Sequence, residues 1–209
     1  MFIKSILNKP YKHIIRGENS MQKLKEKVKK KIIEVGKFKF KDLGFENTSM
    51  KDIAKDAGIS TGNIYRYFLT KKHLLGEILD ELEEQINKLL DDISSTYSNN
   101  DLHSSFAKIT EGTIELAKNN ADTFKIMFNS QNESQFLNFK NRIIDTLITK
   151  MSFLMNQNKS QKIDKTLYEA IARAEFEGFI YIVKINMDDI ETLRKNLTLY
   201  EEIMIKDLV

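Results

Sequence analysis

Residues 48–75 read TSMKDIAKDAGISTGNIYRYFLTKKHLL, and the pattern within them predicts two short helices joined by a tight corner. The first helix is indicated by apolar residues at helical spacing, namely Met50, Ile53, Ala54 and Ala57. Gly58 ends it, since glycine adopts a left-handed backbone at no steric cost. Ser60 is a suitable cap for the next helix, which carries Ile64, Tyr65 and Phe68. This arrangement is a helix-turn-helix pattern.

The side chains that the pattern leaves outside the core are small, polar, aromatic or cationic, and none is acidic. They are Ser60, Thr61, Gly62, Asn63, Arg66 and Tyr67. A helix that enters a groove lined by phosphates needs this composition. The segment therefore predicts a DNA-reading surface.

The motif resembles the signature of the TetR (tetracycline-repressor) family of transcriptional regulators over about residues 28–75. The matching elements are Thr48-Ser49-Met50, Ile53-Ala54, Ala57-Gly58-Ile59, Tyr65-Arg66-Tyr67-Phe68 and Lys71, preceded by Phe40 and Gly44-Phe45. Gly36 departs from it, because the family usually has alanine there, and we expect this glycine to weaken helix one by roughly 0.5–1 kcal/mol.

The resemblance implies a role for each DNA-facing residue. Thr48, as the cap of helix two, is expected to bind a phosphate, and Ser60, Thr61, Gly62 and Asn63 to open the recognition helix. Arg66 is the candidate for guanine O6/N7 readout. Tyr65, Tyr67 and Lys71 are expected to contact phosphates. Two alternatives stay open: the Tyr65 ring lies half in the core, or Lys71 is an ordinary solvated lysine.

Charge is distributed unevenly along the chain. Residues 21–72 hold fourteen lysines and arginines against six acidic residues, whereas residues 73–209 hold fifteen against twenty-three. A basic front on an acidic body favours a polyanionic partner for the front alone. We predict three segments: a leader or basic arm over 1–20, a DNA-binding domain over 21–70, and an effector-binding and dimerisation domain over 71–209. The first segment is either an arm that reaches DNA or an upstream start in the gene model.

An all-α fold of about nine helices follows from the single proline, the eight glycines and the helical periodicity. Helix one is predicted over 22–43, a long fourth helix from Lys71 to about Ile93, and five more at about 101–118, 121–129, 134–156, 164–187 and 188–207.

Cysteine is absent, so thiolate catalysis and cysteine-based zinc sites are excluded. The three histidines lie in separate segments without catalytic or ligand spacing, so neither an enzyme nor a cofactor is predicted. No stretch is apolar enough for a membrane span, and a cytoplasmic protein is the default.

The later helices supply two further predictions. An adaptable apolar pocket for a small-molecule effector is expected from the Phe- and Met-rich set Phe106, Phe124, Met127, Phe128, Phe136, Met151, Met155 and Phe176. A homodimer interface is expected at Ala170, Ala174, Gly178, Tyr181 and Ile182, since small residues in one row let another helix approach. Two alternatives stay open: this helix is buried wholly inside one subunit, or the Phe and Met residues are ordinary core. The chain is thus predicted to be a repressor that binds double-stranded DNA at a palindromic operator and releases it on effector binding. The alternative is a helical interaction protein that does not bind DNA.

Overall fold

The computed structural model describes residues 10–96, 102–157 and 164–205, and describes side chains for residues 21–95, 107–152 and 164–204. Within these ranges every regular element is a helix. They run α1 Pro10–Leu43, α2 Met50–Ala57, α3 Thr61–Ile64, α4 Lys71–Thr96, α5 Leu102–Asn119, α6 Ala121–Asn129, α7 Ser134–Gln157, α8 Lys165–Asn186 and α9 Ile190–Ile205. The predicted all-α fold is confirmed, and none of the described helices is long and apolar enough to cross a membrane.

The chain divides into two compact units, Met1–Leu74 and Leu75–Val209, and the division falls inside α4. The first unit holds α1 to α3 and the first turn of α4. Its buried core is formed by apolar residues of all these elements, including Ile32, Phe40, Ile53, Ile64, Phe68 and Leu74. Because these side chains lie at helical spacing in the sequence, the hydrophobic pattern accounts for which face of each helix is buried.

Helix α1 differs from its predicted bounds, because it begins at Pro10 rather than near residue 22. Proline is tolerated in the first turn of a helix, where its missing N–H has no intrahelical partner to lose. The end of α1 agrees with the prediction: the helix stops at Leu43, and Gly44 follows with a φ of 82°.

Gly36 has a packing role that the sequence did not reveal. A Cβ at this position would lie 2.8 Å from Cδ2 of Leu74, and Leu74 is fully buried. The absence of a side chain therefore lets α1 approach the first turn of α4, which offsets the cost of a glycine within a helix.

The second unit is built from the rest of α4 and from α5 to α9. Helix α7 packs against α8, while α9 packs against both α5 and α8. Gly112 on α5 allows a close approach to α4, because a Cβ there would lie 2.3 Å from Cδ1 of Leu89. Ion pairs from Arg142 to Asp80 and from Lys150 to Asp91 join α7 to α4.

Candidate nucleic-acid interface

Helix α2 starts with a serine cap rather than the predicted threonine. Ser49 has an extended backbone, and its hydroxyl oxygen accepts a hydrogen bond from the N–H of Asp52 at 3.1 Å. The Asp52 carboxylate in turn accepts from the Ser49 hydroxyl, which lowers the pKa of Asp52. Ser49 thus satisfies a free donor of the first turn and places a carboxylate there, and both stabilise a helix N-terminus.

Thr48 lies inside the domain, and this corrects both predictions made for it. Only 3% of the residue is exposed. Its Oγ1 lies 2.8 Å from the carbonyl oxygen of Gly44 and 3.2 Å from that of Lys39. The hydroxyl proton is therefore used inside the domain, where it joins the start of α2 to the end of α1 and the residue that follows it. Thr48 neither caps α2 nor presents its hydroxyl to a phosphate.

The corner between α2 and α3 is formed as predicted by Gly58. This residue has a φ of 70° and a ψ of 32°, a left-handed conformation that is costly for residues with a Cβ. Its N–H donates to the carbonyl of Lys55, while the N–H of Ile59 donates to that of Ala54. These two bonds are the Schellman pattern that ends helices at glycine. The corner fixes the direction in which the recognition segment leaves α2.

The recognition segment is a shorter helix than predicted. Ser60 caps it, accepting from the N–H of Asn63 at 3.2 Å, but the α-helix covers only Thr61–Ile64. Tyr65 follows as the C-cap, and Arg66 and Tyr67 lie in a turn stabilised by backbone bonds to residues 63 and 64. The turn is held at its end by Phe68, which is fully buried.

The predicted reading residues form one outward face of this segment. Ser60, Thr61, Gly62, Tyr65 and Arg66 are exposed, whereas Asn63 and Tyr67 are half-buried. A Cβ added to Gly62 would meet no atom within 4 Å, so this position is open to close approach from outside. Tyr65 remains 45% exposed, so its ring is only partly covered by the core.

Arg66 stands on this face without an internal partner. Among the described residues, no carboxylate or carbonyl holds its guanidinium by a hydrogen bond or ion pair. The five donors of the guanidinium are therefore available to an external acceptor. Planar, bidentate donors of this kind match the O6 and N7 atoms of guanine.

Lys71 has a structural contact that neither sequence interpretation included. Its Nζ lies 2.5 Å from the carbonyl oxygen of Phe45 and 3.1 Å from that of Glu46, and 4.3 Å from the centre of the Phe45 ring. The lysine thus fastens the first turn of α4 to the loop before α2. An ammonium has three donors, so one remains for an external anion.

Two lysines on α2 were given no role by the sequence reasoning. Lys51 and Lys55 are exposed and lie opposite the buried stripe of this helix, next to its cap and its corner. The signal that could have found them is their position out of phase with Ile53 and Ala54. On α1, Lys39 bonds instead to Asp56 at 2.6 Å and joins α1 to α2, which raises its pKa.

The predicted pocket residues are distributed over several helices of the second unit. Phe124, Met127, Phe136 and Phe176 are buried, and Phe128 and Met151 are half-buried. The rings of Phe124 and Phe128 lie 5.9 Å apart. The side chains of Phe106 and Met155 lie outside the described residues.

The predicted dimer residues on α8 divide into two groups. Ala170, Ala174 and Tyr181 are exposed in the single chain, and Ile182 is half-buried. Gly178 is different, because a Cβ there would lie 2.3 Å from the hydroxyl oxygen of Tyr200 on α9. The gap left by this glycine is therefore filled by the same chain, which corrects its assignment to a subunit interface.

Comparison with known proteins agrees with this geometry. The model of the family "Bacterial regulatory proteins, tetR family" matches residues 32–78. The uncharacterised HTH-type transcriptional regulator YfiR of Bacillus subtilis is 27% identical over 66% of this chain and 68% of its own length. The HTH-type transcriptional regulator PksA of the same organism is 25% identical over 79% of this chain and 85% of its own length.

Solved structures show that the likeness of fold extends beyond the first unit. A structure assigned to the TetR family from Syntrophomonas wolfei superposes with a TM-score of 0.66 at 18% identity, covering 87% of this chain and 96% of that one. A transcriptional regulator from Pseudomonas aeruginosa gives a TM-score of 0.68 at 18% identity over 88% and 90%. Given this match and this fold, the chain resembles the TetR family of bacterial transcriptional regulators, whose model covers the helix-turn-helix at residues 32–78.

Proposed function

We propose that this regulator is a cytoplasmic repressor that binds a palindromic operator as a homodimer and releases it when a small apolar or amphipathic effector binds. The observation that carries the DNA-reading part is the face formed by Ser60, Thr61, Gly62, Tyr65 and Arg66, which is exposed, free of acids and rigidly supported by buried Ile64 and Phe68. A short, firmly held segment of this composition fits a major groove.

The roles within this face are divided by chemistry. Arg66 is the base-reading residue, because its guanidinium alone on this face offers paired donors. Ser60, Thr61 and Asn63 supply short polar groups, and Gly62 permits backbone approach. Tyr65, Tyr67 and the remaining donor of Lys71 are proposed to bind phosphates, which set the position of the domain without reading sequence.

The homodimer is supported by an apolar stripe on α8 and α9. Leu167, Tyr181 and Ile185 on α8 are at least half exposed and lie in one row with the exposed small residues Ala170 and Ala174. Leu199 and Ile203 extend the exposed apolar surface on α9. Apolar side chains at helical spacing on neighbouring helices are typical of an isologous helix-bundle interface, and a second copy of the chain would cover them.

Effector release is proposed because apolar and sulfur-containing side chains of α6, α7 and α8 dominate the interior of the second unit. Phe124, Met127, Phe136 and Phe176 are adaptable residues of the kind that line sites for apolar ligands. Helix α4 begins in the first unit and continues in the second, so it is the element through which a change in the second unit would reach the DNA-binding unit.

Titration of labelled DNA tests the proposal. We expect the full chain to bind the intergenic DNA upstream of its own gene at least tenfold more tightly than scrambled DNA of the same composition at the same salt concentration. Equal affinity for both would favour the alternative, a helical interaction protein. Thermal-shift screening of apolar and amphipathic compounds, followed by the same titration, tests release: the account requires that a stabilising compound lowers operator affinity.

A further inference from the structure

Glu201 on α9 is a buried carboxylate with only half of its hydrogen-bonding capacity used. The residue is 5% exposed. The hydroxyl of Thr110 on α5 donates to its Oε2, whereas its Oε1 has no hydrogen-bond partner among the described residues. A buried acceptor without a donor is costly, and the cost rises steeply when the group is charged.

A second carboxylate, Glu175 on α8, belongs to the same cluster. It is half-buried. Burial first, and then the negative charge of Glu175, raise the pKa of both Glu201 and Tyr200. Tyr200 offers no relief, because its hydroxyl donates to the carbonyl oxygen of Ala174 at 3.1 Å. Among the described residues, Tyr200 therefore supplies no donor to the two acids.

Two arginines on the surrounding helices are engaged elsewhere. Arg194 on α9 pairs with Glu111 on α5, and Arg173 on α8 pairs with Glu169 one turn earlier. Across the described part of the chain, neither Glu175 nor Glu201 forms an ion pair with a lysine or arginine. Within the described residues, no lysine or arginine is thus paired with either carboxyl group.

The packing around this cluster leaves little room for the helices to adjust. The ring of Tyr200 lies directly over Gly178 and meets Phe179 edge-on at 5.6 Å between ring centres. If ionised Glu175 and Glu201 repelled each other, their separation would require α9 to move relative to α8. Because close-packed interiors do not deform continuously, such a change would loosen the whole contact.

We propose that Glu175 and Glu201 form a proton-operated switch of the α8–α9 packing, in which neutral carboxyls hold the two helices together and ionised carboxyls drive them apart. Burial supports this reading, because it raises the pKa of each of these glutamates to about 7. The consequence for regulation rests on the proposed function: the same two helices carry the apolar stripe assigned to the homodimer, so the dimer would weaken as pH rises.

The direction of the pH dependence follows from these values. In the unfolded chain the carboxyls ionise near 4.5, and in the folded chain near 7. The folded state therefore holds more protons between these limits, and stability decreases as pH rises through them. A change of one pKa unit at one group alters an equilibrium tenfold, so the opening equilibrium should increase at least tenfold between pH 5 and pH 8.

Hydrogen exchange of the full chain, corrected for the intrinsic pH dependence of exchange, tests the proposal at peptides of α8 and α9. We expect their protection to fall at least tenfold from pH 5 to pH 8, and the double variant Glu175→Gln, Glu201→Gln to remove this fall because glutamine does not ionise. The control is Glu202→Gln, an exposed neighbour on α9 that should behave like the wild type. A fall that survives in the double variant would overturn the proposal.

A second measurement covers the case in which the double variant does not fold. Carbon-detected NMR titration of the glutamate carboxyls in the wild-type chain would report their protonation directly. Two carboxyls that ionise between about pH 6 and 8 support the switch, and none above pH 5.5 refutes it. Neither measurement uses DNA, so their failure is distinct from a failure of the proposed function.

Discussion

Thr48→Val separates a structural role for this residue from a role in DNA binding. Valine has nearly the same shape but lacks the hydroxyl that lies 2.8 Å from the carbonyl oxygen of Gly44 and 3.2 Å from that of Lys39. Because only 3% of Thr48 is exposed, water does not reach the two carbonyls to replace the lost donor. Leaving buried acceptors unsatisfied costs about 1–3 kcal/mol, and we expect that loss in the free energy of unfolding.

The assay is urea unfolding followed by circular dichroism, with operator affinity measured on the same samples well below the transition. For a chain of this size each kcal/mol corresponds to about 2–4 °C in the midpoint of thermal unfolding. Thr61→Val is the matched control, because Thr61 is exposed on the recognition segment and should lose affinity without losing stability. The reasoning fails if Thr48→Val keeps full stability and instead loses operator affinity, as a phosphate contact would require.

Three further predictions concern the corner, the loop and the dimer. Gly58→Ala should destabilise the chain by about 1 kcal/mol, because the φ of Gly58 is 70°. Gly62→Ala should keep the stability of the wild type and lose operator affinity, because Gly62 has open space around it. Equal unfolding curves for the two variants would contradict this. Lys71→Met should lower both stability and affinity, since it removes the bonds to Phe45 and Glu46, and Lys55→Met, at an exposed position of α2, should leave stability unchanged. Tyr181→Glu combined with Ile185→Glu should give a monomer by light scattering, while Lys165→Glu on the same helix should not; a dimer that persists in the double variant places the interface elsewhere.

Local signals in the sequence were sufficient for much of the first unit. Gly58 and Ser60 act through their own backbone and near neighbours, so their positions as corner and cap could be predicted from the chain alone. The helix bounds of the second unit followed from periodicity and polar separators. These features depend on contacts within a few residues, which a sequence displays directly.

Contacts between distant residues set the limit of this reasoning. Thr48 and Ser49 are both good helix caps, and only the position of Lys39 and Gly44 decides that Thr48 turns inward. The glycines on α1 and α8 similarly make room for Leu74 and Tyr200, which lie far along the chain. A row of small residues shows that something approaches closely, but not whether the approaching group belongs to the same subunit.

Base reading by Arg66 is tested most directly by the ratio of the affinities for operator and scrambled DNA. This ratio is measured for the wild type and for Arg66→Ala. Loss of a bidentate guanine contact costs about 1–3 kcal/mol of discrimination, so the ratio of the two affinities should fall about 5- to 150-fold per half-site. Lys118→Ala removes the same charge from an exposed position on α5 and should preserve the ratio. An Arg66→Ala protein that binds both DNAs more weakly but keeps the wild-type ratio would contradict base reading by the recognition segment.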